Sequence, residues 1–378
     1  SEDDTQVFRF SCELYEPVKQ SILQEALEKT MEEFPVYKSI LKRGLFWYYL
    51  EASRIKPVVK QEYRPPCRPI FDRNRKNLLF EVTYYQNRIN LEVFHVLSDG
   101  TGALQFLRTM VLHYLSVRYR DALGQIPLSL DYDASGTQKS DDSFQKYYSG
   151  DKKKKKRYAP VAYHLKGAKT PENQIRVMEG VLPVKKLLAK AHDYGTTLTV
   201  LLAAVFLMSI YEEMPVRVRK RPVILAVPAD LRKYFHSETA RNFFSMINAG
   251  YDFKRQEASL EAVICHLKET FAKELTLDNL ANRINTYASI EHNFFARITP
   301  LAIKDFFMRQ AYQLTAKQTT AALSNVGKIA MPEPVSGYIR LFDVFVSTNK
   351  VQICMCSYQN NLTVSFTSLF MNTNIQKN

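Results

Sequence analysis

The feature that most constrains this chain is a run of strand, turn, strand, turn and helix between residues 78 and 115. Leu78 to Tyr85 and Ile89 to Phe94 alternate apolar and polar side chains with the period of a half-buried strand. Gln86-Asn87-Arg88 between them has the polarity and length of a hairpin connection. His95 ends the second strand. Beyond the turn Asp99-Gly100-Thr101-Gly102, the residues Ala103, Leu104, Phe106, Leu107, Met110, Val111, Tyr114 and Leu115 recur on one helical face. A ribbon that feeds an amphipathic helix puts this part of the chain in the mixed α/β class.

The same mixture recurs on either side. Val7 to Leu14 has strand composition, and Pro17 opens a helical segment with Ile22, Leu23, Leu27, Met31 and Phe34, expected to stop near Pro35. Leu45 to Tyr49 is an aromatic run, expected in the core rather than lining a pocket. Later come a helix from Pro183 to His192, an apolar helix from Thr199, a strand at Val223 to Val227, and helical stretches from Ala258 to Ala272 and Leu301 to Leu314. Val351 to Tyr358 and Leu362 to Thr367 flank Gln359-Asn360-Asn361 as a second hairpin. A chain of 378 residues is long for one core. The expected division is a first lobe at 1–123, a polar, lysine-rich crossover at 124–173 and a second lobe at 174–378.

Composition narrows the function classes. The five cysteines are an odd number without metal-ligand spacing, and Cys354 and Cys356 alternate so as to share one strand face; reduced thiols in the cytoplasm are expected. His113, His164, His192, His236, His266 and His292 also lack ligand spacing, so no metal is expected. Leu198 to Tyr211 is too short an apolar run to cross a bilayer and reads as a buried helix. No amino-terminal apolar signal segment is visible. Part of the formal charge of +14 is the run Lys152 to Arg157, read as a solvated segment, with a basic mouth that attracts the phosphates of a ligand as the functional alternative. No nucleic-acid partner is expected, because no recognised aromatic and basic nucleic-acid-binding signature is present.

The chemistry centres on His95, Asp99 and Gly100, which together form the pattern HxxxDG. A histidine at a strand's end, followed by a glycine-bearing turn and a helix, can point into a cleft while its backbone is held rigidly. A neutral imidazole titrates near the working pH, so it can take a proton from a hydroxyl or amine that attacks a thioester carbonyl, and then return it. The departing thiol has a pKa of roughly 8.5 and needs no covalent enzyme intermediate. Asp99 follows across a turn, which favours a structural ion pair over a triad carboxylate. Gly100 and Gly102 are expected to permit backbone angles or close approaches that a side chain would block.

His95 to Gly100 resembles the active-site motif of the HxxxDG acyltransferase superfamily, which includes chloramphenicol acetyltransferase, BAHD enzymes, alcohol acetyltransferases and the condensation domains of nonribosomal peptide synthetases. Other segments fit in order. The helix from Leu23 to Phe34 looks like that family's first helix, Val227-Pro228-Ala229-Asp230-Leu231-Arg232 is similar to its segment ending in Leu-Arg, and Leu323-Ser324-Asn325-Val326-Gly327 to its late Ser-Asn-x-Gly turn.

The resemblance implies two similar mixed-sheet lobes of chloramphenicol acetyltransferase-like fold with an active-site tunnel between them. It implies His95 as base, Asp99 paired with an arginine, for which Arg232 is the candidate, and Ser324 and Asn325 as candidates for oxyanion stabilisation or support. Acyl-coenzyme A is then the co-substrate, with no tightly bound cofactor, and the acceptor is a hydroxyl of a small molecule or lipid receiving an acetyl or other short acyl group. Phe94 precedes His95, so the paired histidines of condensation domains are missing, and the BAHD motif Asp-Phe-Gly-Trp-Gly is absent. The closest resemblance is to microbial alcohol acetyltransferase-like proteins. Two alternatives stay open: amide formation from a carrier-bound donor, and a non-catalytic binding protein of the same fold. Oligomeric state is not legible.

Overall fold

The computed structural model describes residues 4–124, 129–132, 134–151, 160–171 and 174–377; the basic run Lys152 to Arg157 lies outside them. Strand β1 (Val7–Leu14) is buried along its whole length, because it has a strand on each side. It pairs antiparallel with β6 (Arg88–Phe94) and with β11 (Ile339–Val346). β6 pairs antiparallel with β5 (Phe80–Tyr85), and β5 runs parallel to the short β4 (Lys60–Gln61). The first sheet therefore has the order β11-β1-β6-β5-β4. Helices α1 (Gln20–Glu33) and α2 (Gly100–Arg118) bury their apolar stripes in one cluster with this sheet. Inside that cluster the rings of Tyr37 and Phe106 stack at 4.1 Å. α1 stops at Phe34, since the residue before Pro35 is disfavoured in helical geometry.

The second sheet has the order β7-β13-β12-β10-β8-β9. It comprises β7 (Arg176–Pro183), β8 (Val223–Asp230), β9 (Phe244–Tyr251), β10 (Ala321–Ile329), β12 (Val351–Tyr358) and β13 (Asn361–Ser368). β10 is parallel to both of its neighbours. Packed on this sheet are α7 (Leu198–Glu212), capped by Thr197, and α8 (Leu260–Glu274), capped by Ser259, with α6 (Val184–Asp193) alongside. α9 (Leu277–His292), α10 (Phe294–Ile298) and α11 (Leu301–Ala316) lead back to β10. The remaining short helices are α3 (Arg120–Leu123), α4 (Gly136–Ser140), α5 (Ser143–Lys146), α12 (Glu333–Ser336) and α13 (Asn374–Lys377). Among the described residues no single helix is long and apolar enough to cross a membrane.

Several details depart from the sequence reading. Both hairpins close in two residues rather than three: Tyr85 pairs with Arg88 and Tyr358 with Asn361, and Gln86 and Gln359 take positive φ. The aromatic run is not core. It forms the tip of a separate two-stranded ribbon, β2 (Ser39–Arg43) and β3 (Tyr48–Ala52), outside both larger sheets, where Leu45 is 71% and Tyr49 50% exposed. Strand β11, late in the chain, joins the first sheet, and the chain passes from it into β12 of the second through residues 347–350.

Candidate active site

The ladder between β1 and β6 ends at the pair Val7 and Phe94, so His95 is the first residue beyond it. Its N–H donates to Gln6 O at 2.8 Å, and Leu97 N donates to Phe94 O at 2.9 Å, closing a turn that holds the ring at the sheet's end. Asn242 then grips the histidine twice. Its Nδ2 donates to the His95 carbonyl at 2.8 Å, and its Oδ1 lies 3.2 Å from His95 Nδ1. Because the amide's NH2 is spent on the carbonyl, its oxygen must accept, and the network assigns the proton to Nδ1 and the lone pair to Nε2. Phe8 and Phe244 flank the ring at centroid distances of 5.0 and 5.5 Å.

Half-buried His95 lines a cavity of about 1690 Å³. The first sheet contributes Phe8, Phe10 and Val344 to its wall and the second contributes Val227, Met246 and Ser324, so the space lies between the lobes. Cys354 also lines it, but burial pushes its thiol up to about 12, which removes it as a thiolate nucleophile near neutral pH.

Asp99 does not touch the imidazole. It caps α2, with Oδ1 accepting from Gly102 N at 3.0 Å, while Oδ2 accepts from Phe243 N at 2.7 Å. The Arg232 guanidinium meets both oxygens, Nη1 to Oδ2 at 2.9 Å and Nη2 to Oδ1 at 3.1 Å. Its other donors go to Thr239 O, Arg241 O and Asp230 Oδ1. All five N–H groups of a buried guanidinium are thereby used. Burial alone would lower the Arg232 pKa; the charges of Asp99 and then Asp230 outweigh it and hold the group above its ordinary value. Phe243 directly follows Asn242, so the ion pair and the histidine's amide partner share one short stretch of backbone.

The two glycines differ in role. A Cβ at Gly102 would fall 2.1 Å from Ala240 O and 2.4 Å from Ser98 Oγ, so the helix start can approach the second lobe only without a side chain. Gly100 lines the cavity but has neither positive φ nor a close neighbour: a Cβ there would meet Phe10 Cζ at 4.0 Å. The expectation that Gly100 too avoids a clash is corrected by this open space.

Ser324 and Asn325 lie within β10, not on a free turn; the strand is interrupted between Asn325 and Gly327, where Gly327 takes φ +92°. Asn325 Oδ1 accepts from Gly327 N at 2.9 Å and its Nδ2 donates to Thr199 Oγ1 at 2.8 Å, so Asn325 shapes the irregularity. Ser324 faces the cavity, and among the described residues its hydroxyl makes no hydrogen bond. Asn242 is the site residue that the sequence reading missed; nothing in the spacing of Arg241-Asn242-Phe243 marks it.

Two mixed-sheet lobes around a shared cavity are the architecture of chloramphenicol acetyltransferase-like acyltransferases and condensation domains, and the chain has that fold. Its similarity to solved structures extends over nearly the whole length. Polyketide synthase associated protein 5 from Mycobacterium tuberculosis superposes with a TM-score of 0.65 at 14% identity, covering 98% of this chain and 92% of that one. The trichothecene 15-O-acetyltransferase of Fusarium sporotrichioides gives 0.61 at 11% identity, covering 100% and 89%. The starter condensation domain of rhizomide synthetase, in a complex with C8-CoA, gives 0.62 at 10% identity, covering 99% and 87%. No protein-family model and no curated protein sequence matches the chain.

Proposed function

We propose that this protein transfers an acyl group from coenzyme A to a hydroxyl, with His95 as the general base. The observation that carries the reading is an imidazole whose Nδ1 is tied to Asn242 and which borders a cavity of about 1690 Å³. Pockets for one small ligand measure roughly 300–1,000 Å³, so this volume suits a donor and an acceptor together. Nε2 takes the proton of the acceptor O–H as its oxygen attacks the thioester carbon, and the carbonyl becomes an oxyanion. Collapse of that intermediate breaks the C–S bond, and the proton passes from the imidazolium to the departing sulfur. Ser324 is the proposed hydrogen-bond donor to the oxyanion. Asp99 and Arg232 are positioning residues that hold the segment carrying Asn242 rather than moving a proton.

A coenzyme A donor is supported by the rhizomide synthetase domain's complex with C8-CoA, and a hydroxyl acceptor by the trichothecene 15-O-acetyltransferase. The test is mass spectrometry of products from acetyl-CoA and octanoyl-CoA incubated with a panel of alcohols and amines. O-acyl products support the proposal. N-acyl products alone would replace the hydroxyl by an amine, and no thiol release with any donor would overturn acyl transfer.

A further inference from the structure

Among the described residues, nothing covers helix α11. Of its sixteen residues only Leu301 is buried, yet Ile303, Phe306, Phe307, Met308 and Leu314 stand 48–64% exposed. Phe294 and Phe295 of α10, just before it, are 67% and 75% exposed. The tip of the β2–β3 ribbon is joined to the same surface. Leu301 N donates to Leu45 O at 2.9 Å, Lys304 Nζ donates to Phe46 O at 2.8 Å, and that ammonium sits 3.4 Å from the centroid of the Trp47 ring. A helix this apolar needs a partner along its length.

Charge selects the partner. Between Phe294 and Lys317 the chain carries four basic residues, Arg297, Lys304, Arg309 and Lys317, and one acid, Asp305; on the ribbon Lys42 pairs with Glu51 and Arg43 adds a further cation, while Asp4 is the acid beside Tyr312. A second copy would bring the same basic rim against itself, within a chain of net charge +14, which like-charge repulsion opposes. A surface apolar inside and anionic outside matches, and phenylalanine, tryptophan and tyrosine mixed with arginine and lysine is the composition that settles at a bilayer interface. We propose that α10, α11 and the β2–β3 tip form a docking face for anionic bilayers. Tyr312 on α11 lies beside Asp4, which lines the cavity, so the docked face stands next to the cavity's rim. Docking requires no catalytic step and goes beyond the acyl-transfer reading.

The test is co-sedimentation of the full chain with phosphatidylcholine vesicles, with and without phosphatidylserine. The expected result is binding to the anionic vesicles that falls at high salt and is at least about tenfold weaker on neutral ones. Phe306→Ser/Phe307→Ser should weaken binding at least about tenfold, because each ring loses its apolar burial in the bilayer, and should leave melting unchanged because both rings are exposed. Arg297→Gln/Arg309→Gln should weaken binding to anionic vesicles selectively. No binding to either vesicle, equal binding by the Phe306→Ser/Phe307→Ser variant, or a wild-type dimer in sedimentation that this variant disperses would overturn the proposal.

Discussion

Replacing Asp99 with asparagine removes a charge while keeping the size of the side chain and one oxygen. The Asp99 and Arg232 side chains are 5% and 11% exposed, so the pair sits in protein rather than water. Breaking one partner of a buried pair costs about 3–5 kcal/mol through the charge left behind. Two features soften this. Asparagine can still accept from Gly102 N, which preserves a cap worth about 1 kcal/mol, and Asp230 remains 2.9 Å from Arg232. A loss of about 2–4 kcal/mol follows. Unfolding entropy of about 2.1 cal/mol/K per residue gives about 0.8 kcal/mol/K for a chain of 378 residues, so Tm should fall by about 3–5 °C. Calorimetry on Asp99→Asn, Arg232→Met and the double variant is the assay. The double variant should lose about 2 kcal/mol less than the two single losses combined, because it leaves no orphaned guanidinium. A Tm shift within about 1 °C for Asp99→Asn, or strict additivity, would refute the reasoning.

Three further outcomes are expected. Asn242→Ala frees the His95 ring and should lower kcat about a hundredfold, with little change in the donor's KM or in melting; an unchanged kcat would remove Asn242 as a positioning residue. Gly102→Ala should destabilise by about 1–3 kcal/mol because its Cβ meets Ala240 O, whereas Gly100→Ala, with room for its methyl, should melt like the parent; equal melting of the two variants would contradict the packing argument. Burial, against the opposing charge of Arg88 at 3.1 Å, pushes the Asp343 carboxyl on β11 up to about 7. The folded chain then holds a proton that the unfolded chain, with a carboxyl near about 3.9, has released, so Asp343's contribution to stability declines as pH rises through that window and is lost above about 7. Urea midpoints from about pH 5 to about pH 8 should fall more steeply for the parent than for Asp343→Asn, and parallel profiles would show that Asp343 does not titrate there.

What could be read from the sequence was whatever repeats locally. The alternation in 78–85 and 89–94 and the helical stripe from Ala103 to Leu115 mark β5, β6 and α2, because each buries one face and must be patterned for it. β11 was not legible: Ile-Arg-Leu-Phe-Asp-Val-Phe-Val is apolar on both faces, and its place beside β1 depends on contacts more than three hundred residues away. Composition misled at Leu45 to Tyr49, since an aromatic run looks like core until the turn from Gly44 to Trp47 carries it to a ribbon tip. Near Gly327 the residues look like a turn, but parallel pairing with β12, which continues to Ile329, imposes an extended backbone and leaves only an irregularity. Asn242 sits in a stretch with no period at all, and its hold on His95 is a contact across 147 residues of sequence, next to the Phe243 N–H that donates to Asp99.

The proposed role of His95 is to take the acceptor's proton. Its most direct test is the rate of coenzyme A thiol release from the best acyl donor and acceptor pair, measured for the parent and for His95→Ala at matched folded concentration. The expected result is a fall of about 10²–10⁴-fold in the variant, with far-UV circular dichroism and melting retained. Thiol release at the parental rate from a folded His95→Ala protein would contradict it.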